Sequence, residues 1–154
     1  MKQVRILLAT DFSPASEPAA RRALEMARSE NAPLLIANVL EAPLPFSPDG
    51  YVLPRVYDEM AAAVRADAEK RMQKMLARAR KAGVRAKGLL LRGAPHDAIV
   101  RAARSHRAGR VILGTHGRRG FSRLFLGSVA ARVVASASCP VLVVPAGARA
   151  RRSS

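Results

Sequence analysis

Five short apolar runs recur along this chain, and each of the first four is followed by residues with apolar positions at helical spacing. Residues 4–10, 33–40, 84–92, 110–113 and 141–144 read as strands. Residues 14–30, 56–82, 95–107 and 128–136 read as helices. This alternation restricts the fold more than any other feature. Parallel strands need crossover connections long enough to hold a helix, and strands covered on both faces lose the polar half of their pattern. Arg5 is the only charged residue inside the first run, and Val141-Leu142-Val143-Val144 has none between Pro140 and Pro145. The expectation is an α/β fold, an open five-stranded parallel sheet with helices on both faces. Its 154 residues suffice for one domain over residues 1–146, followed by a basic, disordered tail over 147–154.

Local signals set the boundaries. Ser13 can cap the first helix and Pro14 suits its first position. Ala19, Ala20, Ala23, Leu24 and Ala27 form that helix's buried face. Met60, Ala63, Val64, Ala68, Met72, Met75 and Leu76 trace a core stripe on the longest helix, which Gly83 ends. The other side of that helix carries Arg65, Lys70, Arg71, Lys74, Arg78, Arg80 and Lys81 and reads as a solvated face. Ile99, Val100 and Ala103 bury the third helix, and Gly109 separates it from the fourth strand. Residues 41–54, with Pro43, Pro45, Pro48, Pro54 and the turn pair Asp49-Gly50, form a long loop without periodicity.

The chemistry is concentrated after the fourth strand, in Gly114-Thr115-His116-Gly117-Arg118-Arg119-Gly120-Phe121-Ser122-Arg123-Leu124-Phe125-Leu126-Gly127-Ser128. A strand leads into a glycine loop, and Gly127-Ser128 opens a helix. Glycines let the main chain approach a ligand, and a helix start offers unpaired N–H groups with a partial positive charge. Arg118, Arg119 and Arg123 add cations with no acid among them. The stretch is built for an anion, and a nucleotide fits best. Its spacing, G-x2-G-x9-G-[ST], should occur by chance in about one chain in a hundred of this length. Neither G-x4-G-K-[ST] nor G-x-G-x-x-G is present. Asp11 ends the first strand, where open α/β sheets place ligands, though a turn acid capping the first helix explains it equally well from position alone.

Composition narrows the classes further. Twenty-seven Lys and Arg against eleven Asp and Glu give a net charge of +16, a field that attracts polyanions. A nucleic-acid partner is the reading this charge raises, and it is not favoured. The chain lacks Trp, has two Tyr and four Phe, and carries no helix-turn-helix or zinc signature. The lone Cys139 excludes an internal disulfide and reads as a small core residue. No apolar run approaches the length of a membrane span, and the apolar start of the chain is too short for a signal peptide. A cytoplasmic protein with no membrane association is expected.

The stretches I-L-L-A-T-D-F-S, G-A-P-H-D-A-I-V, V-I-L-G-T-H-G-R-R-G-F-S-R-L-F-L-G-S-V-A and C-P-V-L-V-V-P together resemble the universal stress protein family in its ATP-binding branch. The resemblance covers residues 4–145 and implies a Rossmann-like sheet of order 3-2-1-4-5. It implies ATP, or ADP or AMP, at the switch point between strands 1 and 4, with Mg²⁺ or Mn²⁺ on the phosphates and no direct metal ligand from the protein. By resemblance, Asp11 and Val39 contact the base and ribose side, Leu113, Gly114 and Gly117 line the ribose and phosphates, and Gly127, Ser128 and Val129 complete the phosphate cradle. Ala9, Thr10, His116 and Arg118 are the further nucleotide-binding residues expected. The family's dimers imply a homodimer through strand 141–144. The charge of +16 departs from a family that is usually neutral or acidic. No carboxylate of the motif suggests a general base, so a regulatory, nucleotide-binding stress-response module with slow or absent hydrolysis is expected, an enzyme being left open. A nucleotide-free dimeric scaffold is the other alternative.

Overall fold

The computed structural model describes residues 4–47, 49–116 and 126–148. Its main sheet holds β1 (Arg5–Ala9), β2 (Leu34–Val39), β3 (Ala86–Leu91), β4 (Ala108–Gly114) and β5 (Val141–Val144). All pairings in it are parallel and the order is β3-β2-β1-β4-β5, as the family resemblance implied. The helices are α1 (Glu17–Ser29), α2 (Pro54–Lys81), α3 (Pro95–Ser105) and α4 (Ser128–Ser136). Within the expected loop 41–54, Phe46–Ser47 and Gly50–Tyr51 pair as a short antiparallel hairpin separate from the sheet.

Strand alternation divides the interior in two. Ile6, Leu8, Ile36 and Ile112 face α1 and α2, where Ala19, Ala23, Ala27, Met72 and Ala79 meet them. Leu7, Leu35, Val111 and Leu113 face α3 and α4, where Ile99, Ala102, Ala103 and Val133 meet them. A strand with both faces covered has no solvent side, which is why the buried stretches 6–9, 34–37 and 111–113 are continuously apolar. Small alanines on α1 and α3 let these helices lie close on the sheet.

Four expectations need correction. Residues 14–16 form one turn of 3-10 helix, and the α-helix begins only at Glu17. Ser13 does cap this turn, its Oγ accepting from Ser16 N. Gly109 lies inside β4, where a Cβ would collide with Val4 Cγ1. The reversal after α3 falls instead on Arg107, whose φ of 52° is left-handed. Gly83 does end α2 in that conformation (φ 73°), with Val84 N donating to Ala79 O and Gly83 N to Arg80 O.

Val100 is only half-buried, and Ala98 and Ala102 join Ile99 and Ala103 on the buried face of α3. On α2, only Ala68, Met72 and Ala79 are buried, while Met60, Ala63 and Val64 are exposed. At 28 residues α2 is about 42 Å long, whereas the six-residue β3 it packs on spans about 20 Å. The first half of α2 therefore runs past the sheet, and among the described residues nothing buries its stripe. Where it does dock, Gly88 of β3 makes room, since a Cβ there would stand 2.7 Å from Met72 Cγ.

Candidate functional site

The carboxyl ends of β1 and β4 lie side by side, Ala9 opposite Leu113, with the chain leaving toward opposite flanks of the sheet. A crevice outside the strands opens at such a switch point because the connections on either side diverge.

On the β1 side, Thr10 is a buried junction. Its amide donates to Ala37 O at 2.9 Å, and its carbonyl accepts from Asn38 Nδ2 at 3.0 Å. Its Oγ1 accepts from Phe12 N and lies 3.0 Å from Ser16 Oγ, which donates to Ser13 O. Asp11 Oδ1 accepts from Ser13 N at 2.9 Å. Asp11 is half-buried just past the end of β1, and its carboxylate holds the amide of Ser13, the residue that caps the turn, instead of capping the turn itself. Phe12 takes a left-handed φ of 61°, a conformation that costs a non-glycine residue about 1–3 kcal/mol and persists only where neighbours over-determine it.

On the β4 side, backbone meets backbone. Thr115 N donates to Val144 O at 3.1 Å and Gly127 N to Thr115 O at 2.7 Å. A Cβ on Gly127 would stand 2.6 Å from Thr115 O. One on Gly114 would stand 3.3 Å from His116 O and 3.5 Å from Ala15 O. Gly127 is the N-cap of α4 and supplies no side-chain acceptor, so the first-turn amides of Ser128 and Val129 have no side-chain cap among the described residues. His116 Nδ1 lies 3.1 Å from Thr115 Oγ1. Its Nε2 is buried with no hydrogen-bond partner among the described residues, an arrangement that leaves a polar atom in want of one.

Of the expected site residues, Ala9, Thr10, Asp11, Leu113, Gly114, His116, Gly127, Ser128 and Val129 gather at this edge, with Val39 at the adjacent end of β2. Gly117 and Arg118, with Arg119 and Arg123, lie outside the described residues. Ala9 and Leu113 are buried with their side chains in the α3–α4 core, so only their backbone is available at the crevice. Sequence reasoning missed Asn38 and Ser16, which hold the β1 end in place. Asn38 was legible as the one amide in an otherwise apolar run. Among the described residues, no three His, Cys, Asp or Glu side chains cluster as metal donors. Cys139 is only partly buried, packed against the α3–α4 core and not within it as expected, and burial raises its thiol pKa.

The model of the universal stress protein family matches residues 4–145. The chain belongs to the universal stress protein family. A universal stress protein of Thermus aquaticus is 37% identical over 140 residues, covering 90% of this chain and 96% of the relative. Among solved structures, universal stress protein UspA from Lactobacillus plantarum superposes with a TM-score of 0.80 at 24% identity, over 94% of this chain and 99% of its own, and speaks to the fold. A universal stress protein in complex with cAMP reaches 0.68 at 26% identity, over 94% and 98%. No helix among the described residues is long and apolar enough to cross a membrane.

Proposed function

We propose that this universal stress protein binds an adenine nucleotide, ATP foremost, at the joined ends of β1 and β4, and acts as a regulatory module in the cytoplasm. The observation that carries the reading is the uncapped glycine start of α4 beside Gly114, with Asp11 across the same edge. Backbone amides without a side-chain cap at a helix start suit phosphate oxygens. The cAMP complex of a related protein supports the adenine class.

In this reading Asp11 and the backbone at Val39 meet the base and ribose. Gly114, His116, Gly117 and Arg118 follow the ribose and phosphates, and Gly127, Ser128 and Val129 hold the phosphates. Mg²⁺ or Mn²⁺ travels on the phosphates, since the residues at hand fit an anion better than a bare cation. Hydrolysis needs a group that positions the attacking water. The loop from Gly114 to Ser128 carries no Asp or Glu to serve as general base, so in this reading hydrolysis is slow or absent.

Ser128→Asp tests the site without disturbing the fold. An acid in the first turn of a helix is favourable by about 0.3–1 kcal/mol, yet it sets a negative charge where the phosphates belong. Saturating Mg-ATP should raise the melting temperature of the unmodified protein by mass action and leave Ser128→Asp unmoved. Absence of both heat and thermal shift in the unmodified protein at millimolar Mg-ATP would refute the reading.

The sheet also ends on β5, whose outer edge has no neighbouring strand among the described residues. Pairing of two such edges about a two-fold axis gives the homodimer we propose.

A further inference from the structure

The basic face expected to be solvated on α2 is exposed at Lys70, Arg71 and Lys74, and this part of it also borders a cleft. Asp67, Lys70, Arg71, Lys74 and Arg78 stand across a cleft of about 420 Å³ from Phe12, Ser13 and Glu17 on the β1–α1 connection. The cleft shares Thr10 with the crevice above, but Gly114, Gly127 and Ser128 do not line it. Its charges do not balance. Arg78 pairs with Glu17 at 2.7 Å and Arg71 with Asp67 at 2.8 Å, which uses both acids. Lys70 and Lys74, one helical turn apart on the same face, have no ion-pair or hydrogen-bond partner among the described residues. Ser13 Oγ accepts from Ser16 N, and its own proton has no acceptor among the described residues. Phe12 and Met75, both half-buried, supply an apolar wall.

We infer that this cleft between α2 and the β1–α1 connection is a second anion site, one that takes a phosphomonoester dianion. Two uncompensated ammonium groups match the charge of about −1.5 to −2 that a phosphomonoester carries at neutral pH. A hydroxyl donor beside them and an apolar wall suit a phosphate carried on a compact organic body. A phosphodiester, with one charge, neutralises only one of the two lysines. The site is independent of the nucleotide reading, because it shares none of the glycine loop's anion donors.

The probes are ribose 5-phosphate, a monoester, and dimethyl phosphate, a diester, titrated by calorimetry into the full chain. Ribose 5-phosphate should bind saturably and dimethyl phosphate at least about tenfold more weakly. The double variant Lys70→Gln/Lys74→Gln should weaken the monoester at least about tenfold. Arg80→Gln/Lys81→Gln removes the same charge from exposed positions of α2 outside the cleft and should change affinity by less than about twofold, as screened distant charges do. Ser128→Asp should leave the affinity unchanged. Equal losses in the two double variants would reduce the effect to the general field of a +16 protein and overturn the inference. Loss in Ser128→Asp would move the anion to the glycine loop, and no saturable binding would remove the site altogether.

Discussion

Replacing Gly127 by Ala should separate a structural glycine from a merely permissive one. The added methyl would lie 2.6 Å from Thr115 O, whereas carbon–oxygen contacts settle at about 3.3–3.6 Å. The two segments must therefore part by most of an ångström. The atom that must move is a backbone carbonyl, which cannot swing aside as a side chain does. It is also the acceptor of Gly127 N at 2.7 Å, so the separation breaks that bond. Losing it costs about 0.5–1.5 kcal/mol, and overpacking adds about 1–3 kcal/mol. A total of about 1.5–4.5 kcal/mol against a domain stability of about 5–15 kcal/mol leaves a folded protein with a displaced α4 start. The assay is the urea midpoint at unchanged slope, with amide hydrogen exchange at Ala131, whose N–H donates to Gly127 O. Gly114→Ala, whose nearest contacts are 3.3 and 3.5 Å, should cost distinctly less. Stability within about 0.5 kcal/mol of the unmodified protein for Gly127→Ala would refute the reasoning, since only a surface-like site behaves so.

Two further outcomes are expected. Burial disfavours the Cys139 thiolate, so at pH 8 iodoacetamide should alkylate the folded chain more slowly than the urea-unfolded one, and equal rates would contradict it. The sign for stability follows, because the unfolded thiol ionises first. The contribution is complete below the ordinary thiol range near pH 8.5 and is lost as pH rises beyond it; Cys139→Ala should flatten that part of the pH profile. The third test concerns the β5 edge. Val111 N donates to Pro140 O and Thr115 N to Val144 O, so by the parallel pattern the N–H of Val143 faces outward. Val143→Pro removes that donor without touching the ladder to β4 and should shift the proposed dimer toward single chains in light scattering. A single-chain mass for the unmodified protein at micromolar concentration would sink the dimer.

The sheet was legible because burial on both faces leaves no alternation to confuse with a helix, and Leu7 and Leu8 show the reason by entering opposite cores. What sequence could not carry was extent. The periodicity of α2 is the same over Met60–Val64 as over Met72–Leu76, yet Met72 is buried against β3 while Met60 and Val64 are exposed. A glycine between a helix and a strand reads as a breaker, so Gly109 was given the turn that Arg107 makes. Close approach and left-handed backbone both select glycine, and sequence alone does not say which.

The same ambiguity runs through the candidate site. The spacing of Gly114 and Gly127 was read as ligand-facing, and the contacts with Thr115, His116 and Ala15 show that these glycines first let three backbone segments meet. That is a condition for an anion site, since the amides of α4 face the β1 end only if the segments close up. Lys70 and Lys74 escaped for the opposite reason. A basic stripe on a helix is ordinarily solvated, and nothing in its spacing reveals that α2 lies across from Phe12 and Ser13. The connection that faces it is held by Thr10, which bonds β2 through Asn38 and the start of α1 through Ser16. With so many bonds fixing residues 10–16, the strained Phe12 can persist, and its ring is kept against the α1–α2 core at the wall of the cleft.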